Sequence, residues 1–203
     1  MEEQMAPPSG GVSIPTPPLQ SLRVASCTLK EVRAFVEQYH YSHTVNGVTV
    51  SDVFKITVAD VLKGAAIFGA PAGYGVLKKY SRGATKLTEL RRFILAEELP
   101  KNSESRVLGY ILREMRKRGY ARILSYADPA AGHRGIIYKA CGFECVGTTA
   151  ATRKILWNGK SYPRRNLLQV HRPFHKHLQA ALDNGDAKYV RIPGKFIYVK
   201  DLQ

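Results

Sequence analysis

One segment constrains the fold more than any other, because residues 86–149 predict five alternating elements. The clearest is a helix between Ser103 and Arg118, whose apolar side chains recur at helical spacing and which Gly119 ends. The others are a strand at 88–95, a strand at 120–126, a short helix at 132–140 and a strand at 143–148. Strands that alternate with helices need a crossover connection, so the sequence predicts an α/β arrangement with at least one parallel crossover.

The rest of the chain predicts the units on either side of this segment. In chain order we expect a flexible Pro- and Gly-rich arm at 1–20, a compact domain at 21–170 and a basic C-terminal extension at 171–203. Further predicted elements are a helix at Leu29–Tyr39, strands at 53–61 and 64–69, and a hairpin around Pro193 and Gly194.

Charge is the strongest indication of a binding partner. The chain carries 31 Lys and Arg residues against 16 Asp and Glu, a net charge of +15. Residues 151–203 alone hold 11 of the basic residues and 3 of the acidic ones. Such an excess indicates a polyanion, double-stranded DNA or tRNA, because each cation placed on a phosphate releases counterions; a merely soluble basic surface is the alternative.

Other sequence features indicate a cytoplasmic protein. No apolar run reaches the length of a membrane-spanning helix, and no basic segment followed by an apolar one opens the chain. The three cysteines are too few for a disulfide framework, and Cys141 and Cys145 are expected to be buried thiols.

The turn at Pro100–Arg106 is a candidate anion site. Ligands of such sheets bind beyond the carboxyl ends of the strands, so Pro100–Arg106 and Tyr126–His133 are the candidate segments. Free N–H groups and the helix dipole favour an anion at the first of them. Asn102, Ser103 and Ser105 stand in this turn, and Arg106 would add a charge-assisted bond. In the alternative, Asn102 or Ser103 only caps the helix. The turn contains no glycine before Gly109, so its side chains would crowd a diphosphate.

Two further residues are candidates for proton transfer. Asp128 follows a predicted strand and precedes Pro129, so its carboxylate would accept a proton from an attacking amine; capping of the next turn is the alternative. Tyr138, on the short helix, would act as a general acid toward a leaving group, unless it is a core aromatic with an exposed hydroxyl.

Histidine and tyrosine stand together at 39–43. Two histidines three positions apart do not make a metal site, and no metal ligand set is predicted. His40 and Tyr41 are instead expected to line a pocket where aromatic rings hold a flipped base.

Basic residues interleaved with aromatics and turns predict the DNA contacts. A Gly-rich loop at 73–83 offers Tyr80 and Arg82, with an ordinary solvated hairpin as the alternative. The clearest cluster surrounds Trp157 and Tyr162, and its basic members are Arg153, Lys154, Lys160, Arg164 and Arg165.

The stretch from His133 to Gly147 resembles a late helix and strand of the GCN5-related N-acetyltransferases. In that superfamily a tyrosine precedes a Gly-Phe turn and lies near the leaving thiol, and Tyr138 precedes Gly142 and Phe143 here in the same way. The resemblance implies an α/β (α+β) fold with a mixed central sheet flanked by helices, and an acyltransferase-like catalytic domain at 21–170.

A narrower resemblance is to the Mom proteins of bacteriophages. Three motifs recur in the same order, at Glu89–Phe93, Pro100–Gly109 and Tyr126–Pro129. The resemblance implies that Asp128 and Tyr138 are catalytic, and that Ser103 and either Arg91 or Arg92 bind the donor. It places His40 and Tyr41 near a family pair linked to iron, so a role for iron is left open.

The Mom resemblance implies a DNA-modifying transferase in the host cytoplasm that puts a carbamoylmethyl group on the exocyclic amine of adenine and protects phage DNA from restriction. Transfer of a glycyl group followed by rearrangement would yield that product, with an activated donor such as glycyl-tRNA or an acyl-coenzyme A. The alternative function is a coenzyme A-dependent N-acetyltransferase that acts on protein or aminoacyl-tRNA, and a non-catalytic DNA-binding module is a third.

Overall fold

The computed structural model describes residues 21–47, 49–71, 73–81 and 83–202. The predicted arm at 1–20 and Arg82 lie outside the described residues. The strands are β1 (Arg23–Ser26), β2 (Asp52–Val58), β3 (Val61–Gly69), β4 (Leu87–Leu95), β5 (Arg122–Ala127), β6 (Glu144–Thr148), β7 (Thr152–Trp157), β8 (Lys160–Pro163), β9 (Lys188–Ile192) and β10 (Phe196–Asp201). The helices are α1 (Leu29–Tyr39), α2 (Tyr74–Tyr80), α3 (Ser103–Lys117), α4 (Ile136–Ala140), α5 (Arg165–Leu168) and α6 (Pro173–Asp183).

A seven-stranded sheet forms the body of the molecule, in the order β1-β2-β3-β4-β5-β10-β6. β4 and β5 are its parallel pair, joined through α3 as the sequence predicted, and the other neighbours are antiparallel. The β4–β5 pairing ends at Leu90 and Ser125, although β4 continues to Leu95. The two strands therefore separate toward their carboxyl ends, and a cleft opens between them.

Helices cover both faces of this sheet. The apolar stripe of α3 is buried against one face through Val107, Leu108, Ile111, Leu112 and Met115. Val32 and Val36 of α1 pack on the other face, against Ala65 and Ile67 of β3. Apolar burial on this scale, about 1.5–3 kcal/mol for each large side chain, fixes α3 and its N-terminus relative to β4.

A second, three-stranded sheet in the order β8-β7-β9 lies in the chain between β6 and β10. It has its own core, in which Ile155 of β7 packs with Leu178 and Ala181 of α6 and with Ala187. We call residues 149–195 the inserted module. The predicted hairpin around Pro193 and Gly194 is wrong, because β9 pairs with β7 whereas β10 pairs with β5 and β6. Residues 171–203 are thus divided between two sheets.

Two local predictions also fail. Residues 74–80 form helix α2 instead of a Gly-rich loop. The amide of Leu77 donates to the carbonyl of Gly73, and the amide of Ser81 donates to the carbonyl of Leu77, which are the hydrogen bonds of a helix. Cys145 is exposed, since β6 is an edge strand of the large sheet, while Cys141 is partly buried. No helix of the described residues is long and apolar enough to cross a membrane.

Candidate active site

The cleft between β4 and β5 has a volume of about 590 Å³. It brings together both segments predicted from the strand ends, the turn before α3 and the turn after β5. Its polar and aromatic lining includes Tyr39, His40, Tyr41, Arg91, Lys101, Asn102, Glu104, Ser105, Tyr126, His133, Arg134 and Tyr138. A concave site of this size with a few converging polar groups is typical of a substrate pocket.

A bulge in β4 places Arg91 in the cleft. Ile67 of β3 faces Arg92 and Phe68 faces Leu90, so Arg91 is the extra residue between them. Its Nη1 donates to Oε2 of Glu89 at 3.1 Å, and these side chains are only 14% and 8% exposed. Its Nε is buried and has no hydrogen-bond partner among the described residues. A buried donor of this kind is available to a ligand, and the sequence analysis assigned no role to the Glu89 carboxylate that holds it.

Arg92 does not line the cleft. Its Nε donates to the carbonyl of Thr44 at 3.1 Å and its Nη1 to the carbonyl of Arg91 at 2.7 Å. It therefore ties the segment that follows α1, with His40 and Tyr41, to β4. Of the two arginines that the resemblance proposed for donor binding, Arg91 is the one positioned to contact a ligand.

The N-terminus of α3 forms one wall of the cleft. Asn102 adopts a left-handed conformation, φ 70°, and the buried Ser103 hydroxyl donates to the carbonyl of Pro100 at 2.6 Å. Ser105 donates to the carbonyl of Asn102 at 3.1 Å. Asn102 and Ser105 line the cleft, whereas Ser103 supports the turn from below and Arg106 points to a different groove.

His40 is a buried neutral imidazole, 5% exposed. The amide of Ser42 donates to its Nδ1 at 3.1 Å, so the ring proton is assigned to Nε2. Burial, helped by the charges of Arg92, His133 and other neighbours, lowers the pKa of His40 from 6.5 to about 4. A neutral histidine that lines the cleft can donate a hydrogen bond from Nε2 at physiological pH.

Tyrosines complete the cleft. The Tyr41 ring packs between His40 at 4.4 Å and His133 at 4.9 Å, measured between ring centroids. Tyr138 packs against Tyr198 at 5.2 Å. Burial raises the pKa of Tyr138 to about 12, so its hydroxyl keeps its proton at neutral pH. This protonation state suits the role of an acid that the sequence analysis gave it.

Asp128 lies beside the cleft and does not line it. Its Oδ1 accepts from the amide of Ala130 at 3.0 Å, which is the capping interaction weighed above, and its Oδ2 pairs with Lys195 at 2.8 Å. Although burial opposes it, the hydrogen bond and charge of Lys195 hold the pKa of Asp128 below its usual value. A carboxylate engaged in this way is a weak base, and it holds Lys195, a residue that sequence reasoning missed, near the mouth of the cleft.

The predicted DNA contacts fall into two groups. Tyr80 ends α2, and its hydroxyl is buried without a hydrogen-bond partner in the described part of the chain. The others belong to the inserted module: Arg153 and Lys154 on β7, Lys160 on β8, and Arg164 and Arg165 at α5. Trp157 and Tyr162 pack with Phe174 in the module's core, so these aromatic rings build the module that carries the basic residues.

Across residues 21–202, apart from the three gaps, no group of three or more His, Cys, Asp or Glu residues is arranged to hold a metal ion. His40 and His43 hydrogen-bond to Ser42 and to the carbonyl of Glu37, respectively.

Sequence comparison relates the whole described chain to one family. The family model described as the Mom protein family matches residues 21–203. This chain belongs to the Mom protein family. The methylcarbamoylase Mom of Escherichia phage Mu is 29% identical over 139 residues, which are 66% of this chain and 56% of that relative. The match therefore spans little more than half the length of the phage Mu protein.

Solved structures show which fold this Mom family member adopts. An N-acetyltransferase from Staphylococcus aureus Mu50 aligns over 90% of this chain and 99% of its own, with a TM-score of 0.52 and 12% identity. The ribosomal-protein-S18-alanine N-acetyltransferase of Escherichia coli aligns over 90% and 94%, with a TM-score of 0.52 and 11% identity. These likenesses confirm the GCN5-related N-acetyltransferase fold predicted from the sequence.

Proposed function

We propose that this protein is a phage DNA-modifying transferase that converts adenine to its carbamoylmethyl derivative on the exocyclic amine and so protects phage DNA from host restriction. The observation that carries the proposal is the cleft between β4 and β5. In a chain of the Mom family, it gathers Tyr138, Tyr41 and neutral His40 opposite the N-terminus of α3. The name of the phage Mu relative, a methylcarbamoylase, supports the same chemistry.

The inserted module supports DNA as the substrate. Residues 149–195 hold ten Lys and Arg residues and two acidic ones. Arg153 and Arg191 stand directly opposite each other on β7 and β9, and neither has an ion-pair partner in the described part of the chain. Like charges placed in this way destabilise a sheet, and phosphates of a DNA backbone would neutralise them. Lys154 and Lys195 lie close to Asp128 beside the cleft, and Arg134 lines it.

The wall formed by α3 favours a donor without a diphosphate over coenzyme A. A solved structure with the same fold, YncA of Salmonella typhimurium, contains acetyl-CoA, and a helix N-terminus such as that of α3 is a general binding position for a diphosphate. Here the turn carries Asn102 and Ser105 side chains, and the Glu104 carboxylate also lines the cleft. The exposed Glu104 side chain adds negative charge to this wall, which disfavours a diphosphate there. We therefore propose a glycyl ester at the 3′ end of tRNA as the donor.

The first step forms an amide on adenine. The exocyclic amine attacks the glycyl carbonyl carbon, the new N–C bond forms, and the ester C–O bond breaks. Tyr138 gives its hydroxyl proton to the departing ribose oxygen and takes one from the attacking amine, so no net proton is lost. The His40 Nε2–H donates to the carbonyl oxygen as negative charge develops on it. Arg91, held by Glu89, orients the donor.

The second step rearranges the amide without oxidation or reduction. The free glycyl amine attacks ring carbon C6 and forms a five-membered spiro ring. The original C6–N bond then breaks, the departing nitrogen takes the proton that the attacking amine loses, and the base is left with NH–CH2–CO–NH2. Atoms and electrons balance with adenine and the glycyl ester as the reactants.

The proposal is tested on DNA from cells that express the protein and receive isotopically labelled glycine. We expect modified adenine to carry the mass of one added glycyl residue together with the label. Replacement of Tyr138 by Phe is expected to lower the modified fraction about 100-fold or more, because it removes the acid. Tyr74→Phe, on the exposed α2, is the matched control and should keep full modification.

Two results would contradict parts of this proposal. Adenine of unchanged mass from cells with abundant protein would rule out base modification. Modified adenine without the glycine label, together with a requirement for iron in the purified reaction, would replace glycyl transfer by acetyl transfer and a later oxidation.

A further inference from the structure

A second groove lies on the opposite side of α3 from the cleft. Its volume is about 580 Å³, and it is lined by Leu22, Arg23, Val24 and Ala25 at β1 and by Arg106, Val107, Tyr110 and Arg113 of α3. Three of these residues are arginines and none is acidic. None of these residues belongs to the reaction cleft or to the DNA surface proposed above. Arg106 alone was predicted from the sequence to bind the donor.

The arginines of the groove are available for a ligand. Arg23, Arg106 and Arg113 are exposed, and none has an ion pair with an acidic side chain of the described residues. Arg106, Tyr110 and Arg113 follow one another at helical spacing, so they form a stripe about 10 Å long on α3. Tyr110 is 40% exposed between the two arginines, and its ring lies 5.9 Å from the Arg113 guanidinium.

This combination fits an unpaired nucleic-acid strand. Arginines contact successive phosphates, and an exposed aromatic ring between them provides a face on which a base stacks. The apolar residues at the bottom of the groove, Leu22 and Val24, complete a surface that a stacked base would cover. A compact inorganic anion would use the guanidinium groups and leave the tyrosine and the apolar residues uncovered.

The position of the groove indicates which strand it binds. Ser105 lines the reaction cleft and the next residue, Arg106, lines the groove, so the two sites meet at the first turn of α3. The inserted module leaves the large sheet at β6, whereas the groove lies at β1, the other edge. Six strand spacings, about 29 Å, separate these edges. A strand whose end reaches the cleft past α3 is therefore separate from DNA bound by the module.

We propose that the α3 groove binds the unpaired 3′ end of the donor tRNA, with Arg106 and Arg113 on its phosphates and Tyr110 stacked on a base. This inference rests on the proposed glycyl-tRNA donor. It also assigns Arg106 a role outside the cleft, where it contacts a phosphate of the tRNA strand next to the nucleotide that carries the reacting ester.

The test measures binding without catalysis. The full chain is titrated with uncharged glycine tRNA and, separately, with duplex DNA, and fluorescence anisotropy is followed over a range of salt concentrations. The variant Arg106→Gln with Arg113→Gln is expected to bind tRNA about tenfold or more weakly, with a salt slope smaller by about 1.4, and to bind duplex DNA like wild type. Lys30→Gln with Arg116→Gln removes the same charge from exposed helix positions and should change neither affinity.

The base-stacking role has its own variants. Tyr110→Phe should keep tRNA affinity, whereas Tyr110→Ala should lower it, because stacking needs the ring and not the hydroxyl. A tRNA from which the unpaired 3′ nucleotides have been removed should bind wild type and the double arginine variant equally.

Failure of this inference is distinguishable from failure of the proposed function. Unchanged tRNA affinity in the double arginine variant, or a loss confined to duplex DNA, would overturn the groove assignment even if labelled glycine enters adenine. Loss of tRNA binding in that variant would support the groove even if adenine stays unmodified, in which case the proposed reaction falls.

Discussion

Burial sets the charge of individual residues in the cleft. His40 is neutral because its imidazole is almost wholly removed from water, and Tyr138 keeps its proton because burial disfavours the phenolate. The Arg91 guanidinium is paired with the Glu89 carboxylate at 3.1 Å. The cleft thus offers neutral proton donors and a held cation, a set suited to stabilising negative charge on an acyl oxygen.

The neutral state of His40 predicts a pH dependence of stability. The unfolded chain binds a proton at His40 near pH 6.5, whereas the folded chain does so only near pH 4. Between these values the unfolded state holds more protons, so stability is full above pH 6.5 and is lost as the pH falls toward 4. The loss expected from this group is about 3 kcal/mol. Urea unfolding at a series of pH values measures it.

Carboxylates with a lowered pKa, such as Asp128, also make the protein less stable in acid. A variant separates the contribution of His40 to this pH dependence from theirs. In His40→Asn the amide oxygen can still accept from the Ser42 amide, but nothing titrates there. The free energy of unfolding of this variant should fall less on acidification than that of wild type. Replacement of the exposed His171 is the control and should leave the pH dependence of stability as in wild type. If the His40→Asn variant loses as much stability on acidification as wild type does, the assignment is wrong.

At the scale of elements, two local irregularities shape the site. The β4 bulge turns Arg91 into the cleft and keeps Arg92 on the side of Thr44. Before α4, Gly135 adopts φ 72° directly against the ring of Tyr198, whose hydroxyl donates to the carbonyl of Arg134 at 2.8 Å. The position of α4, and hence of Tyr138, depends on this contact.

Two glycines test that dependence. Gly135→Ala should lower the free energy of unfolding by about 2 kcal/mol more than Gly142→Ala, as measured by urea denaturation. Both positions have a positive φ, so both changes carry the same backbone strain. A Cβ at Gly135 would overlap the rigid Tyr198 ring, whereas one at Gly142 meets only the flexible end of Lys200, at 2.9 Å. Equal losses would show that the Tyr198 contact does not constrain α4.

At the scale of the whole molecule, basic surfaces lie at both edges of the large sheet with the cleft between them. The inserted module extends from the β6 edge, and the α3 groove lies at the β1 edge. Two anionic polymers can therefore approach one cleft without sharing a surface. The proposed transfer of a glycyl group from tRNA to DNA requires such a separation.

The module surface predicts opposite effects on stability and binding. Arg153→Gln with Arg191→Gln should raise the free energy of unfolding by about 0.5 kcal/mol, because two like charges no longer face each other. The same variant should bind duplex DNA more weakly, with a salt slope smaller by about 1.8, and bind tRNA like wild type. Thermal unfolding and anisotropy titrations measure the two effects. Reduced stability with unchanged DNA affinity would contradict the module's role.

The sequence by itself determined the central elements and which two turns meet. Periodicity located α1 and α3, and the β4–α3–β5 order implied the parallel pair. Because ligands of such sheets bind beyond the carboxyl ends of the strands, the sequence also predicted that the turn before α3 and the turn after β5 line one site. These inferences succeed because they depend on local spacing and on the handedness of short connections.

Only the tertiary structure decided which partners each residue meets. Adjacent residues Ser105 and Arg106 face different cavities, because α3 packs with its apolar stripe inward and presents two sides to solvent. Asp128 pairs with Lys195, and β10 enters the large sheet instead of pairing with β9. Such pairings join residues far apart in the chain, and competing long-range burial, which local periodicity does not encode, selects among them.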